Sequence, residues 1–233
     1  VVEVSSYQLD LTTSFAPDVA ILTNISPDHL DRHGGMEGYV AAKARVFAQA
    51  GGAAISVDDP WGARIAEDLA RRGLYVVSIT GAADAKPEAT IGKQRIVFDA
   101  DGIRLAYGVI PLAEARCLPG RHNAQNAACA YAAARALGLD GTETVQGLLT
   151  FPGLAHRMET VGHLGRVRFV NDSKATNADA ARQALSSYPR SFWIAGGRAK
   201  AGGIDDLEDL FPRLVEAFLL GEADGPFVPR LGD

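Results

Sequence analysis

A strongly polar segment, NDSKATN at residues 171–177, has the residue types needed to bind small charged ligands. It follows the apolar run at 167–170 and precedes an alanine-rich helical pattern, so it joins a predicted strand to a predicted helix. Such a connection needs only one capping residue. The carboxylate of Asp172, the ammonium of Lys174 and the hydroxyl of Thr176 go beyond that need. The segment is therefore predicted to hold charged ligands.

A second polar segment, DHLDRH at residues 28–33, closely follows the apolar run at 19–25. Parallel sheets gather their ligands at the carboxyl ends of strands, and mixed Asp and His side chains suit Mg²⁺ or Mn²⁺ better than a structural zinc ion. Glu3 interrupts another apolar run, at 1–4, where a buried carboxylate is costly unless it is paired or bound to metal. We predict a metal site that includes Glu3. A solvated Glu3 and an ordinary capped loop remain the alternatives.

Lys43 lies beside an apolar stripe, Val40, Ala44 and Phe47, on a helix predicted over residues 37–50. A lysine at the edge of an apolar face commonly extends its ammonium group into solvent. Alternatively, partial burial lowers the pKa of the amine enough for it to react or to bind an anion.

Neutral hydrogen-bonding groups accompany these charged positions. Ser5 and Gln8 flank the predicted metal site on the sequence. Asn123 and Asn126 share one face at the start of a predicted helix, where they either cap the helix or offer amide groups to a purine edge.

Two further segments could contact anions. His156 and Arg157 lie next to a Pro-Gly break, where they could reach a phosphate. Lys200 lies in the glycine-rich stretch 194–203, which follows a predicted strand and could hold a carboxylate or phosphate. The chain contains neither the GxxxxGK[ST] nor the GxGxxG phosphate-binding pattern.

The elements that position these residues alternate between strands and helices. Strands are predicted at 1–4, 19–25, 53–57 and 75–80, and helices at 37–50 and 60–72. This order predicts an α/β fold with a mostly parallel sheet and flanking helices. After Gly81, short alternating runs and an Asp-Gly turn at 101–102 predict a small antiparallel subsheet.

Helices resume at 122–137 and 142–149, and a break near Gly153 predicts a domain boundary. A second alternation follows, with strands at 167–170, 192–195 and 217–220 and helices at 178–185 and 207–214. We therefore predict a first domain at residues 1–153 and a second at 154–233.

Composition narrows the class of protein. The 233 residues carry a net charge of −5 and no basic tract, which argues against a nucleic-acid partner. The two cysteines show no CxxC spacing, and no signal peptide or membrane span is evident, so we expect a cytoplasmic protein. Because the chain begins without Met inside a predicted strand, we expect it to be part of a longer protein.

Seven segments together resemble the Mur ligases of peptidoglycan synthesis, and within them the D-glutamate-adding members. They are EVSSYQLD, TNISPDHLDRH, YVAAKARVF, LPGRHNAQNAA, HRMETV, NDSKATN and GGRAK, which occur in the family's order over residues 1–203. The resemblance implies a Mur ligase central domain at 1–153, truncated at its N-terminus, and a partial Rossmann-like α/β ligase domain at 154–233. It also implies that the family's first domain, its phosphate-binding loop and the end of its last domain are missing.

The family resemblance implies ATP-dependent formation of an amide through an acyl phosphate. The implied partners are ATP, UDP-N-acetylmuramoyl-L-alanine and D-glutamate, with two Mg²⁺ ions and a monomeric enzyme. On its own this chain is expected to be inactive. The alternatives are another amide-forming ligase, such as a different Mur ligase or a folylpolyglutamate synthetase, and a non-catalytic nucleotide-binding module.

The resemblance also assigns roles by position. Glu3 and His29 match Mg²⁺ ligands, and Lys43 matches a carbamylated lysine that belongs to the metal and catalytic site. Ser5 and Gln8 match residues that contact the UDP-muramoyl substrate, and Asn123 and Asn126 match residues that contact adenine. Arg157, Asp172 and Lys174 match nucleotide contacts. Thr176 and Lys200 match D-glutamate contacts.

Overall fold

The computed structural model describes residues 1–90, 93–197 and 203–231. The chain forms two compact units. The first contains Val1–Arg116 and Asn123–Phe151, and the second contains Cys117–His122 and Pro152–Asp233.

A mixed sheet forms the centre of the first unit. Its strands are β1 (Ala20–Leu22), β2 (Gly52–Ser56), β3 (Tyr75–Thr80), β4 (Glu88–Thr90), β5 (Lys93–Phe98), β6 (Gly102–Leu105) and β7 (Gly108–Pro111). Within the described residues the order is β1-β2-β3-β5-β6-β7, with β4 paired to β5. The pairs β1–β2, β2–β3 and β3–β5 are parallel, whereas β4, β6 and β7 join in antiparallel pairs. The predicted combination of a mostly parallel sheet with a small antiparallel subsheet is confirmed.

Six α-helices accompany this sheet in the described part of the first unit: α1 (Ser6–Asp10), α2 (Leu30–His33), α3 (Met36–Ala44), α4 (Pro60–Arg71), α5 (Arg121–Ala136) and α6 (Gly141–Leu149). α5 begins in the segment that is assigned to the second unit. α4 begins as its sequence predicts, since Asp59 caps the helix by accepting hydrogen bonds from two backbone N–H groups and Pro60 fills the first turn. α3 ends before the predicted residue 50 and continues as a 3₁₀-helix over Arg45–Phe47.

The core of the first unit lies between the parallel strands and the helices that follow them. Tyr39 and Val40 from α3, Phe47 from the 3₁₀-helix and Leu69 from α4 pack with Ile55 of β2 in one apolar cluster. Farther along the sheet the strand residues Ile79, Val97 and Ile103 are completely buried. This packing fixes the carboxyl ends of β1, β2 and β3, where the polar loops begin.

The second unit contains two small sheets. β8 (Glu159–Leu164) and β9 (Val167–Asn171) form an antiparallel hairpin, and β10 (Ser191–Gly196) and β11 (Leu214–Leu220) pair in parallel. The other elements are α7 (Ala178–Ser186), two 3₁₀-helices at Asp205–Arg213 and Gly221–Ala223, and α8 (Asp224–Leu231). Their core is an apolar cluster of Leu185, Ile204, Leu207, Leu210 and Phe227.

Several predicted elements are wrong in type or pairing. Residues 1–4 are coil rather than a strand, and within the described residues no strand pairs with them. β9 pairs with the unpredicted β8 through a turn at Gly165, whose φ is 58°, so the second alternation starts with a hairpin. The helix expected at 207–214 is a 3₁₀-helix containing Pro212, which cannot donate an α-helical hydrogen bond.

No helix in the described residues combines the length and apolar character required to cross a membrane.

Candidate active site

The loop after β1 presents a carboxylate and an imidazole side by side. The backbone N–H of His29 donates to Asp28 Oδ1 over 3.1 Å, and His29 Nε2 lies 3.5 Å from Asp28 Oδ2. Both side chains are close to half exposed, so both can reach a ligand. His29 has a left-handed backbone (φ 53°), which costs a non-glycine residue about 1–2 kcal/mol. Strain of this kind is concentrated at ligand-binding positions in proteins.

Lys43 is electrostatically linked to the same loop. It is half-buried on α3, and its Nζ lies 5.3 Å from the centre of the Tyr39 ring. Burial lowers the pKa of Lys43, and the negative charge of Asp28 partly opposes that shift. Burial and Asp28 together raise the pKa of Tyr39. The structure therefore brings Lys43 and the Asp28–His29 pair into one electrostatic neighbourhood, with an amine that loses its proton more easily than usual.

A cluster of aromatic rings, which the sequence did not reveal, lies beside His29 and Tyr39. The Tyr7 ring from α1 packs edge-on against two imidazole rings. The distance between ring centres is 5.1 Å to His29 and 5.7 Å to His33. The centre of the His33 ring also lies 5.6 Å from the centre of the Tyr39 ring. His33 Nε2 is hydrogen-bonded to Ser6 Oγ at 3.0 Å. These residues come from three short helices, so a search for one motif or one helical period could not bring them together.

Glu3 does not occupy the strand end at which it was predicted. It is exposed and lies in coil. Among the described residues, no three His, Cys, Asp or Glu side chains come together as a ready-made metal site. The carboxylate of Asp28 and the imidazole of His29 are nevertheless suitable donors for Mg²⁺ or Mn²⁺.

Ser5 and Gln8 use part of their hydrogen-bonding capacity within α1. Gln8 N–H donates to Ser5 Oγ over 3.2 Å, and Gln8 Oε1 accepts from the Ser5 backbone N–H over 2.9 Å and from Ser5 Oγ over 3.0 Å. This reciprocal arrangement is a capping box, which starts α1 after the coil. Both side chains remain exposed.

The N-terminal half of α5 is attached to the carboxyl edge of the sheet. Gln125 Nε2 donates to Ser56 Oγ over 2.6 Å, and Ser56 is a buried residue at the end of β2. This bond links the helix to the end of β2. Asn126 is exposed and Asn123 is half-buried on either side of Gln125. Asn126 is therefore available to a ligand at this edge.

In the second unit, the predicted nucleotide-contacting residues lie on two loops that bond to each other. Asp172 Oδ1 accepts from the Met158 backbone N–H over 2.9 Å, and the Lys174 N–H donates to the His156 carbonyl over 3.1 Å. Left-handed backbone conformations at His156 and Met158 flank Arg157, whose side chain is exposed. The predicted anion-contacting segment at His156 and Arg157 and the predicted ligand-binding segment at residues 171–177 therefore lie next to each other.

The remaining polar side chains of residues 171–177 divide between structural and accessible roles. Asn177 caps α7 by accepting from the Ala180 N–H over 2.8 Å. Lys174 and Thr176 are exposed. Lys200, the other residue predicted to contact D-glutamate, lies outside the described residues.

His122 was not predicted from the sequence as a site residue. Burial lowers the pKa of its imidazole, and the negative charge of Asp172 partly opposes that shift.

Curated sequences with strong similarity to this chain share one name. A protein from Caulobacter vibrioides named UDP-N-acetylmuramoylalanine--D-glutamate ligase is 59% identical over 97% of this chain and 49% of its own length. A protein of the same name from Phenylobacterium zucineum is 57% identical over 99% of the chain and 50% of its own length. The chain thus spans about half the length of the curated relatives it matches.

Solved structures with a similar fold include Mur ligases of lower sequence identity. One is the UDP-N-acetylmuramate-alanine ligase MurC of Thermotoga maritima, with a TM-score of 0.64 and 15% identity over 92% of this chain and 47% of that chain. Another is MurF from Acinetobacter baumannii, with a TM-score of 0.62 and 23% identity over 90% of this chain and 47% of that chain. The sequence profile of the Mur ligase middle domain matches residues 1–134, more than half of the 233 residues. The chain therefore belongs to the Mur ligase family.

Proposed function

We propose that the whole protein is an ATP-dependent ligase that adds D-glutamate to UDP-N-acetylmuramoyl-L-alanine in peptidoglycan precursor synthesis. The observation that carries this proposal is the 59% identity, over nearly the whole chain, with a relative named for that reaction. We further propose that residues 1–153 form the central ATPase-type domain and residues 154–233 belong to the C-terminal ligase domain. The expected location is the cytoplasm, and the expected state is a monomer.

The proposed reaction has two steps. The carboxylate of the muramoyl-L-alanine substrate attacks the γ-phosphorus of ATP, which forms an acyl phosphate and releases ADP. The amine of D-glutamate then attacks the acyl carbon, and the tetrahedral intermediate collapses to an amide and phosphate. Several anions must approach one another, so cations must offset their repulsion. Water must be excluded, because it would hydrolyse the acyl phosphate.

Two Mg²⁺ ions would offset the charge on the phosphates, and Glu3, His29 and Lys43 are the proposed residues that hold them. The support is the adjacent carboxylate and imidazole of Asp28 and His29, together with the lowered pKa of Lys43. A carbamate forms only from a neutral amine, and it converts a cation into an anion. Partial burial of Lys43 favours that neutral amine. In carbamylated form the residue would attract a metal rather than repel it.

The other residues would position the substrates. Ser5 and Gln8 would contact the UDP-muramoyl substrate, and Asn123 and Asn126 would contact adenine. Arg157, Asp172 and Lys174 would bind the nucleotide, and Thr176 and Lys200 would bind D-glutamate. The exposure of Arg157, Lys174 and Thr176 supports these roles, since exposed cations and hydroxyls can bind phosphates and carboxylates.

An amino-acid specificity assay on the full-length protein tests the proposal. ADP release should require both UDP-N-acetylmuramoyl-L-alanine and D-glutamate, and the product should contain a new amide bond. A preference for another amino acid, or for a folate substrate, would indicate one of the alternative ligases. ATP binding without amide formation under any of these conditions would instead indicate a non-catalytic nucleotide-binding module.

Thr176 provides a test of the amino-acid site itself. In the full-length enzyme, Thr176→Ala should raise the KM for D-glutamate about tenfold with a smaller change in the KM for ATP, because it removes a hydrogen bond to a charged ligand. Thr160→Ala, on the exposed side of β8, is the matched control and should leave both constants unchanged. Equal effects of the two substitutions would remove Thr176 from the site.

A further inference from the structure

A cavity of about 140 Å³ lies in the first unit between the second half of α5 and the strands β3, β5 and β6. Three tyrosines and two arginines dominate its lining, namely Tyr75, Tyr107, Tyr131, Arg95 and Arg135. An engineered apolar cavity of about 150 Å³ can hold a benzene molecule, so this volume suits one small ring. The exposed Tyr75 and Tyr107 form the rim, and the buried Tyr131 forms the floor.

The cavity lies at the end of the sheet opposite to the candidate active site. Tyr75 is the first residue of β3, whereas the polar loops follow the last residues of the parallel strands. On α5, Gln125 bonds to Ser56 at the carboxyl edge, and Arg135 follows ten residues later. At a rise of 1.5 Å per residue this separation is about 15 Å along the helix. The cavity is therefore distinct from the proposed nucleotide and substrate positions of this unit.

The charged groups of the lining favour an anion. Arg95 and Arg135 contribute two positive charges, and Glu88 is the one acidic residue among the described lining residues, so their sum is +1. Glu88 is opposite Arg95 in the β4–β5 pairing and offsets part of its charge. Arg135 donates from Nη1 to the uncharged Leu139 carbonyl, which leaves its positive charge in place. Outside the lining, the carboxylate of Asp140 also acts electrostatically on Tyr131 and opposes the influence of Arg135 there.

The tyrosine hydroxyls also favour a hydrogen-bond acceptor. The hydroxyls of Tyr107 and Tyr131 lie 3.2 Å apart, so one O–H donates to the other and the second proton remains for a ligand. Burial, followed by the hydrogen bond with Tyr107, raises the pKa of Tyr131 to about 12. Its hydroxyl therefore keeps its proton near neutral pH and remains a donor.

We propose that this cavity binds a small planar aromatic carboxylate of about the size of benzoate. The ring would pack against the tyrosine faces, which prefer offset or edge-on aromatic contacts. The carboxylate would face Arg95 and the hydroxyl pair, where charged hydrogen bonds are strongest. This inference is independent of the proposed ligase activity, because no residue of the cavity belongs to the proposed catalytic or substrate-binding set.

Fluorine NMR titration of the chain with 4-fluorobenzoate tests the site. Arg95→Gln should weaken binding about tenfold, the loss expected for one hydrogen bond to a charged group, and Arg95→Lys should weaken it less. Ala106→Trp, at an exposed rim position, should fill the cavity and abolish binding. Arg71→Gln on α4 is the matched control, since this exposed arginine lies outside the lining and should leave the affinity unchanged.

Two comparison ligands separate ring shape from charge. Phenol lacks the carboxylate and cyclohexanecarboxylate lacks the flat ring, so both should bind more weakly than 4-fluorobenzoate. Circular dichroism establishes that each variant is folded, and Ala106→Trp tests the cavity even where an arginine variant unfolds. The proposal is overturned by the absence of saturable binding at millimolar ligand, or by equal affinity of the wild type and the Ala106→Trp variant.

Discussion

At the scale of single residues, Lys43 combines partial burial with proximity to a carboxylate. Burial favours the neutral amine, and Asp28 favours the ammonium ion, with burial as the larger influence on the pKa. A lysine that served only as a surface cation would need no burial. The combination suits a lysine that must sometimes be neutral in order to be modified.

Replacement of Lys43 tests its proposed chemical role. In the full-length enzyme, Lys43→Ala should nearly abolish D-glutamate-dependent ADP release, because it removes the lysine on which the proposed carbamate would form. A small added carboxylic acid should partly restore the rate by occupying the vacated space. The exposed Lys86 provides the control, since Lys86→Ala should retain wild-type activity with or without added acid. Wild-type activity of Lys43→Ala without added acid would contradict the assignment.

The lowered pKa of Lys43 also predicts how stability depends on pH. Between the lowered folded-state pKa and the unfolded value of about 10.4, the unfolded chain binds more protons, so wild-type stability rises with pH in that window. Lys43→Met removes the buried charge and should stabilise the chain near neutral pH, and this advantage should shrink as pH approaches about 10. Urea unfolding at several pH values measures both effects. Lys86→Met should show neither, and an identical pH dependence of the two variants would contradict the inference.

At the scale of elements, the polar segment at residues 171–177 contains both a helix cap for α7 and exposed side chains. Asn177 caps the helix, while Lys174 and Thr176 are exposed to solvent. Asn177→Ala should therefore destabilise the second unit by about 1 kcal/mol, because the Ala180 N–H loses its partner. Thr176→Ala should change stability by less than about 0.5 kcal/mol. Denaturant unfolding compares the two, and equal losses would mean that the cap contributes little.

Elements with strong local signals were predictable from the sequence. β3 was predicted with its bounds, and α4 within one residue, because an apolar run and an Asp-Pro cap determine them locally. The failures depended on partners elsewhere in the chain. Residues 1–4 are apolar apart from Glu3, but no strand lies beside them in the described part of the chain. β8 was missed because only its pairing with β9 makes its mixed sequence a strand.

At the scale of the whole molecule, each unit has its own apolar cluster. Ile55 is completely buried in the first unit and Leu207 in the second. Ile55→Ala and Leu207→Ala should each cost about 2–5 kcal/mol of stability in their own unit, because each leaves a cavity. Hydrogen exchange should therefore show faster exchange in the unit that carries the substitution. The exposed Ile194→Ala is the control, and uniform acceleration across both units would show that they unfold together.

The candidate site was predictable only in part at this scale. The polar loops after β1 and β9 were predictable from their composition, because carboxylates, cations and amides follow apolar runs in the sequence. The aromatic cluster of Tyr7, His33 and Tyr39 did not, because three helices must pack before its rings meet. The hydrogen bond between Gln125 and Ser56, which joins residues 69 positions apart, was equally invisible.

The capping box at the start of α1 determines which kind of atom Gln8 can recognise. The Oε1 oxygen already accepts hydrogen bonds from two donors of Ser5, so the amide nitrogen is the part of this exposed side chain that is left for other partners. With both of these contacts kept, Gln8 has only its amide protons left for another hydrogen-bond partner. In the proposed substrate contact, the bound molecule would present an acceptor atom to Gln8, because a donor would have to break the helix cap first.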